Sequence, residues 1–137
     1  MTTGSAILVK QWTVKQWLDG DTVEVVALVE IVIPELDVRV SLSLERNLRV
    51  YGLDTSERRS KDKEEKARGE AALKYAESLA PAGSIVNVKV TKSKDKYRRI
   101  LAKITLPDGD DFAENMLLAG HGKAYYGGKK DCAPVLK

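Results

Sequence analysis

The sequence predicts a mainly β fold with helices, a small closed barrel of five strands accompanied by two or three helices. Three observations lead there: three strand-like segments come before the first helical one, two more follow it, and a second helical segment comes only after the fifth strand. A chain of 137 residues, 43% of them hydrophobic, is the size of one domain with one packed core. Residues 1–137 are therefore read as one domain, with its core over about 10–126 and a short tail over 127–137.

From Ala6 to Leu18 apolar and polar residues mix without helical period, and the segment ends in the turn-forming pair Asp19-Gly20. Thr22 to Ile33 is a second β-rich run. Pro34-Glu35-Leu36-Asp37 supplies turn chemistry, after which Val38, Val40, Leu42 and Leu44 alternate with Arg39, Ser41, Ser43 and Glu45 at the period of two that a strand requires. The pair reads as a long hairpin, expected either to reach over a substrate groove or to make a subunit contact. Its returning strand continues through Leu48-Arg49-Val50-Tyr51, so Arg49 points away from the face that carries Leu48 and Val50.

Ser56 to Lys66 is charged and nearly devoid of apolar side chains, an exposed loop leading into a helix. Ala72, Tyr75, Ala76 and Leu79 fall at helical spacing, and Pro81 with Gly83 closes that helix. Ile85, Val86, Val88 and Val90 make the fourth strand, Ser93 to Arg98 a basic turn, and Ile100 to Leu106 the fifth strand. Asp111, followed three residues later by Glu114, forms a capping box that opens a short helix through Phe112, Met116 and Leu117, ended by Gly120. Five strands with a helix after the third is the order of a Greek-key barrel of the oligonucleotide-binding type.

Composition narrows the chemistry. No apolar run approaches the ~20 residues that cross a bilayer, and the first residues lack the basic head and long apolar stretch of a signal peptide. The expectation is a chain without a membrane span, cytoplasmic, or secreted if a leader has been removed. Cys132 is the single cysteine and His121 the single histidine, so any metal must be held by oxygen. Net charge is +3, but residues 1–53 carry five Lys/Arg against seven Asp/Glu, and residues 54–137 eighteen against thirteen. Ser84 to Leu106 is the densest part, with seven basic side chains and only Asp95 opposing them, the footprint of a polyanionic partner.

Three segments carry candidate chemistry. Asp19-Gly20-Asp21-Thr22 displays carboxylates on a turn, which taken alone is only a common turn. In Arg49-Val50-Tyr51-Gly52-Leu53-Asp54-Thr55-Ser56-Glu57 a strand delivers an arginine and its exit loop two carboxylates, where a metal and a phosphate could meet; a plain salt bridge accounts for it equally well. Asp95-Lys96-Tyr97-Arg98-Arg99 sets cations around an aromatic ring, which suits a phosphate beside a stacked base as well as a solvated turn.

Taken in order, these segments resemble the thermonuclease, or staphylococcal nuclease-like, family. The likeness runs from about Trp12 to Tyr126. It comprises the Asp-Gly-Asp-Thr turn, an Arg five residues before Asp-Thr-x-Glu, the Asp-Lys-Tyr-x-Arg hairpin, and Glu114-Asn115-Met116-Leu117 leading to Gly120-His121-Gly122-Lys123. The resemblance implies a five-stranded oligonucleotide-binding barrel and a calcium-dependent endonuclease that hydrolyses DNA and RNA, with single strands preferred and the protein a monomer or weak oligomer.

Carried over residue by residue, it implies that Asp21 and Asp54 ligate calcium by their carboxylates and Thr55 by its carbonyl. Glu57 would act on the attacking water, and Arg49 and Arg99 would bracket the phosphate. Lys96, Tyr97 and Tyr126 would bind the neighbouring nucleotide. The chain departs from the family in its longer hairpin around Pro34 to Asp37, in Arg98 where glycine is usual, in Ser56 where proline is common, and in Gly128 where a second aromatic stands. His121 is expected to be a helix-terminus or core histidine. The alternative reading is a non-catalytic nucleic-acid-binding module of the same fold, marked by binding without cleavage.

Overall fold

The structure is a computed structural model that describes residues 4–92 and 99–126. Five strands form a closed barrel in the order β1-β2-β3-β5-β4, with β1 over Ala6–Asp19, β2 over Thr22–Ile33, β3 over Val38–Val50, β4 over Ile85–Lys92 and β5 over Ile100–Thr105. Helix α1 spans Lys63–Leu79 between β3 and β4, and α2 spans Phe112–Leu118 after β5. Neighbours pair antiparallel except β3 with β5, which run parallel from Leu48↔Ile100 to Val50↔Ala102, as a Greek-key closure demands. The expected barrel and element order are both present, and the third helical element among the described residues is the 3-10 turn Pro34–Leu36.

The core is built from the inward residues of each strand. Val14, Val23, Val25, Leu48, Val50, Ala102 and Ile104 are buried together with Phe112 and Met116 of α2. Trp17 stacks on Phe112 with centroids 4.5 Å apart, and its indole N–H donates to the Ala80 carbonyl at 2.8 Å, so its one polar atom is satisfied inside the core. Helix α1 buries Gly69, Ala72 and Ala76, small residues that let it lie close against the barrel. Asp111 caps α2 as expected, its carboxylate accepting the Glu114 N–H at 3.0 Å, which is the N-cap half of the expected capping box.

Several boundaries differ from expectation: Asp19 belongs to β1 rather than to the turn, and Tyr51 falls past the end of β3. Lys63 to Lys66 belong to α1 rather than to the preceding loop, because Asp62 caps the helix by accepting the Glu64 N–H at 3.1 Å. Leu106 has left β5 and donates its N–H to the Asp110 carbonyl in the following turn.

The long hairpin does not lie over the Asp21–Arg49 end of the barrel. Thr22 pairs with Arg49 at one end of the β2–β3 ladder and Ile33 with Val38 at the other, so the Pro34–Asp37 tip stands about 36 Å of strand away from Arg49. The expectation that it covers a groove there fails for a topological reason: the strand that brings Arg49 to one end carries the hairpin out of the other.

Candidate active site

Two stretches distant in sequence converge at the end of the barrel where β1 turns into β2. The turn supplies Asp19 and Asp21, the last residues of β3 supply Arg49, and the loop that follows supplies Asp54 and Thr55. Backbone bonds fix them to each other: the Val50 N–H donates to the Asp21 carbonyl at 2.9 Å, and Asp54 exchanges two backbone bonds with Lys123, at 2.9 and 2.8 Å. Asp21, Arg49 and Thr55 are all buried, at 7%, 8% and 7% exposure.

A buried guanidinium is tolerated only when its N–H groups are paired. Arg49 Nη1 donates to the Leu53 carbonyl at 2.6 Å and lies 3.3 Å from Asp21 Oδ2, while Nη2 donates to Asp54 Oδ1 at 3.1 Å. Asp21 Oδ2 also accepts the Thr55 N–H at 2.9 Å, and its Oδ1 accepts the Thr22 hydroxyl at 2.9 Å. Arg49 does point away from Leu48 and Val50, as period two requires. It nevertheless ends up buried, because the Asp21 turn and the Asp54 loop fold over it.

Two carboxylates on one guanidinium leave a net negative charge, an electrostatic invitation to a cation. Among the described residues no group of three or more His, Cys, Asp and Glu is placed to hold a metal ion. Two carboxylates, a backbone carbonyl and water still make a donor set that calcium accepts, since it takes oxygen ligands in loose geometry. Thr55 Oγ1 is buried with no hydrogen-bond partner among the described residues, which leaves unused polar capacity at the same place. Oxygen donors of the kind calcium accepts are thus present at this mouth, the Asp21 and Asp54 carboxylates among them.

Glu57 is exposed on the loop beyond Thr55. That loop is clamped from two sides by residues the sequence reading passed over. Arg58 Nε donates to the Leu18 carbonyl at 2.6 Å and lies 3.8 Å from the Asp19 carboxylate, tying the loop to the β1–β2 turn. Beneath it α1 passes so close that a Cβ on Gly69 would stand 2.5 Å from the Glu57 carbonyl carbon and from the Arg58 nitrogen. The available signal was a glycine inside a helical stretch, which costs about 1 kcal/mol against alanine and so calls for a packing reason. Burial raises the Asp19 carboxyl above the usual aspartate value; the hydrogen bond from the Arg58 N–H opposes this, and the charge of Asp21 adds to it.

Arg99 is half-buried and immediately precedes β5, where Leu101 pairs with Arg49. Its backbone is thus about 8 Å from that of Arg49 on the adjoining strand. Tyr126 is 64% exposed and meets Tyr51 edge-on, with centroids 5.2 Å apart, over the Gly52 turn that leads to Asp54. Tyr51 is a second aromatic at this edge that the sequence reading did not single out. Lys96 and Tyr97 lie outside the described residues. His121 packs on Tyr75 at 4.8 Å just past α2, as a helix-terminus histidine would.

A closed five-stranded barrel with acidic and guanidinium groups gathered at one mouth defines the class of nuclease-like, nucleic-acid-binding barrels. Within it, the chain belongs to the staphylococcal nuclease homologue family, whose model matches residues 47–134. The matched span holds Arg49, Asp54, Thr55, Glu57 and Arg99; Asp21 lies before it. No curated protein matches the chain.

Proposed function

We propose that this protein is a calcium-dependent endonuclease that hydrolyses DNA and RNA, single strands preferentially. The observation that carries the reading is Arg49, buried and held between Asp21 and Asp54 with both carboxylates within 3.3 Å. In this reading Asp21, Asp54 and the Thr55 carbonyl hold the ion, which when bound would supply positive charge to the scissile phosphate.

The chain's own groups do the rest. Attack of a water oxygen on phosphorus, in line with the departing oxygen, adds negative charge to the equatorial phosphate oxygens. Arg49 and Arg99 stabilise that charge, since a planar, permanently charged guanidinium can hydrogen-bond two oxygens at once. Glu57 orients the water and accepts its proton, and orientation matters as much as proton removal. The exposed ring of Tyr126, with Lys96 and Tyr97, contacts the neighbouring nucleotide.

The test is incubation with single-stranded DNA and RNA oligonucleotides in calcium and in chelator. Cleavage of both in calcium, abolished by chelator, is expected. Salt-dependent binding without cleavage would replace this reading with that of a non-catalytic binding module.

A further inference from the structure

Beyond the barrel, β1, β2 and β3 continue as a three-stranded arm whose apolar face no other described element covers. Ala6 to Gln11 and Val38 to Asn47 pair only with β2 among the described residues; β1 joins β4 from Trp12, and β3 joins β5 from Leu48. The rows Ile7–Ile31–Val40 and Val9–Val29–Leu42 are cross-strand neighbours, and they extend the face that holds Val23 and Val25 inside the barrel. Inside, that face is the core; on the arm it meets solvent. Ile7 is 74% exposed, Val9 48%, Val40 43%, Leu42 42%, and Leu36 at the tip 68%. The opposite face is mixed: Leu8, Leu28 and Val32 share it with charged side chains that pair internally, Glu30 bound by Arg39 at 3.0 Å and Lys10 at 3.6 Å, and Glu45 by Lys15 at 2.7 Å.

We infer that the arm is a dimerisation element whose apolar face packs against the same face of a second copy, the two arms antiparallel across a two-fold axis. Its exposure is one reason. Ile7, Val9, Val40 and Leu42 are contiguous on one face and each at least 42% exposed, the kind of apolar patch that marks an interaction site.

Charge and shape at the two ends are the second reason. Arg46, which pairs with Val25 and so shares the apolar face, stands at the root of the arm, while Glu35 and Asp37 stand exposed at its tip. An axis near Ser41 lays each tip over the partner's root, which sets these acids against Arg46 of the second copy. Where β1 meets β4, across the arm from Arg46, lies a groove of about 520 Å³ lined by apolar Val9, Trp12 and Val88 and by polar Lys10, Gln11 and Asn87, within which the exposed Leu36 of the second copy would sit. Arg49 lies three residues beyond Arg46 and on the opposite face of β3, so the Asp21–Arg49 cluster is not on the face that packs.

Sedimentation velocity and light scattering on the whole protein test this. The expected mass is twice the 15.1 kDa of one chain at micromolar concentration. Val40→Glu with Leu42→Glu should raise the dissociation constant at least tenfold, whereas Ser41→Glu with Ser43→Glu, on the opposite face, should leave it within about twofold. Arg46→Glu should weaken the dimer, and adding Glu35→Lys should restore it, a rescue that general misfolding would not give. A monomer at high micromolar concentration would overturn the inference, as would a dimer indifferent to Val40→Glu with Leu42→Glu, or one broken equally by the serine substitutions.

Discussion

Asp21 Oδ2 accepts the backbone N–H of Thr55 at 2.9 Å, a bond between residues 34 positions apart in the chain. It joins the β1–β2 turn to the loop after β3 and places the Asp21 carboxylate beside the guanidinium that also holds Asp54. Asp21→Asn keeps an acceptor for Thr55 but removes the charge. The expected result is a fold that survives and a cleavage rate lowered on the order of 100-fold or more, the size seen for loss of one electrostatic contributor. Asp21→Ala should in addition cost about 1–3 kcal/mol, because the buried Thr55 N–H loses its partner. Urea unfolding of the two variants separates the effects.

Arg49→Lys and Arg99→Lys should each lower kcat on the order of 100-fold or more, since an ammonium cannot make two parallel bonds to phosphate oxygens. Near-normal turnover in either would remove that residue from the proposed chemistry. Arg49→Lys should also destabilise the protein, because one ammonium replaces a fork that serves the Leu53 carbonyl and two carboxylates at once.

Gly69→Ala gives a test of sign. In an exposed helix interior the change stabilises by about 1 kcal/mol. Here the added Cβ would meet backbone atoms at 2.5 Å, and the loop carrying Glu57 must move. Lower stability, by about 1–3 kcal/mol, is expected together with reduced cleavage. A more stable variant would show that the helix and loop do not touch as described.

The raised pKa of Asp19 fixes a pH dependence. The folded state holds this proton more tightly than the unfolded chain does, so between the ordinary aspartate value and the raised one the folded state binds more protons. Stability from this group therefore falls as pH rises through that window. Asp19→Asn has no such proton and should flatten the stability profile on the acidic side of neutrality. Unfolding midpoints of the two proteins, measured from pH about 4 upward, give the comparison.

The parts of the site differ in how they could be read from sequence. Arg49, Asp54 and Glu57 sit within nine residues of one strand and its loop, so their proximity is a local matter of chain geometry. The Asp19-Gly20-Asp21-Thr22 turn was legible as a turn, and only its likeness to a family gave it chemistry. Arg58 was not legible, and Gly69 only as a helical glycine in want of a packing reason, because what each touches, the Leu18 carbonyl and the Glu57 loop, is set by tertiary folding.

The sequence by itself determined the order of elements, the alternation of side chains along each strand, the turns at Asp19 and Pro34, and the cap at Asp111. These are set by interactions within a few residues, where period and turn chemistry operate. Tertiary structure alone decided what each face meets. Leu42 and Leu48 lie on the same face of the same strand, yet one is 42% exposed and the other wholly buried. Alternation places both identically, and only the barrel that closes over Leu48 and stops short of Leu42 tells them apart. The same holds for Arg49, which period two sends outward and which the converging Asp21 turn and Asp54 loop then bury, because burial depends on what the rest of the chain brings near.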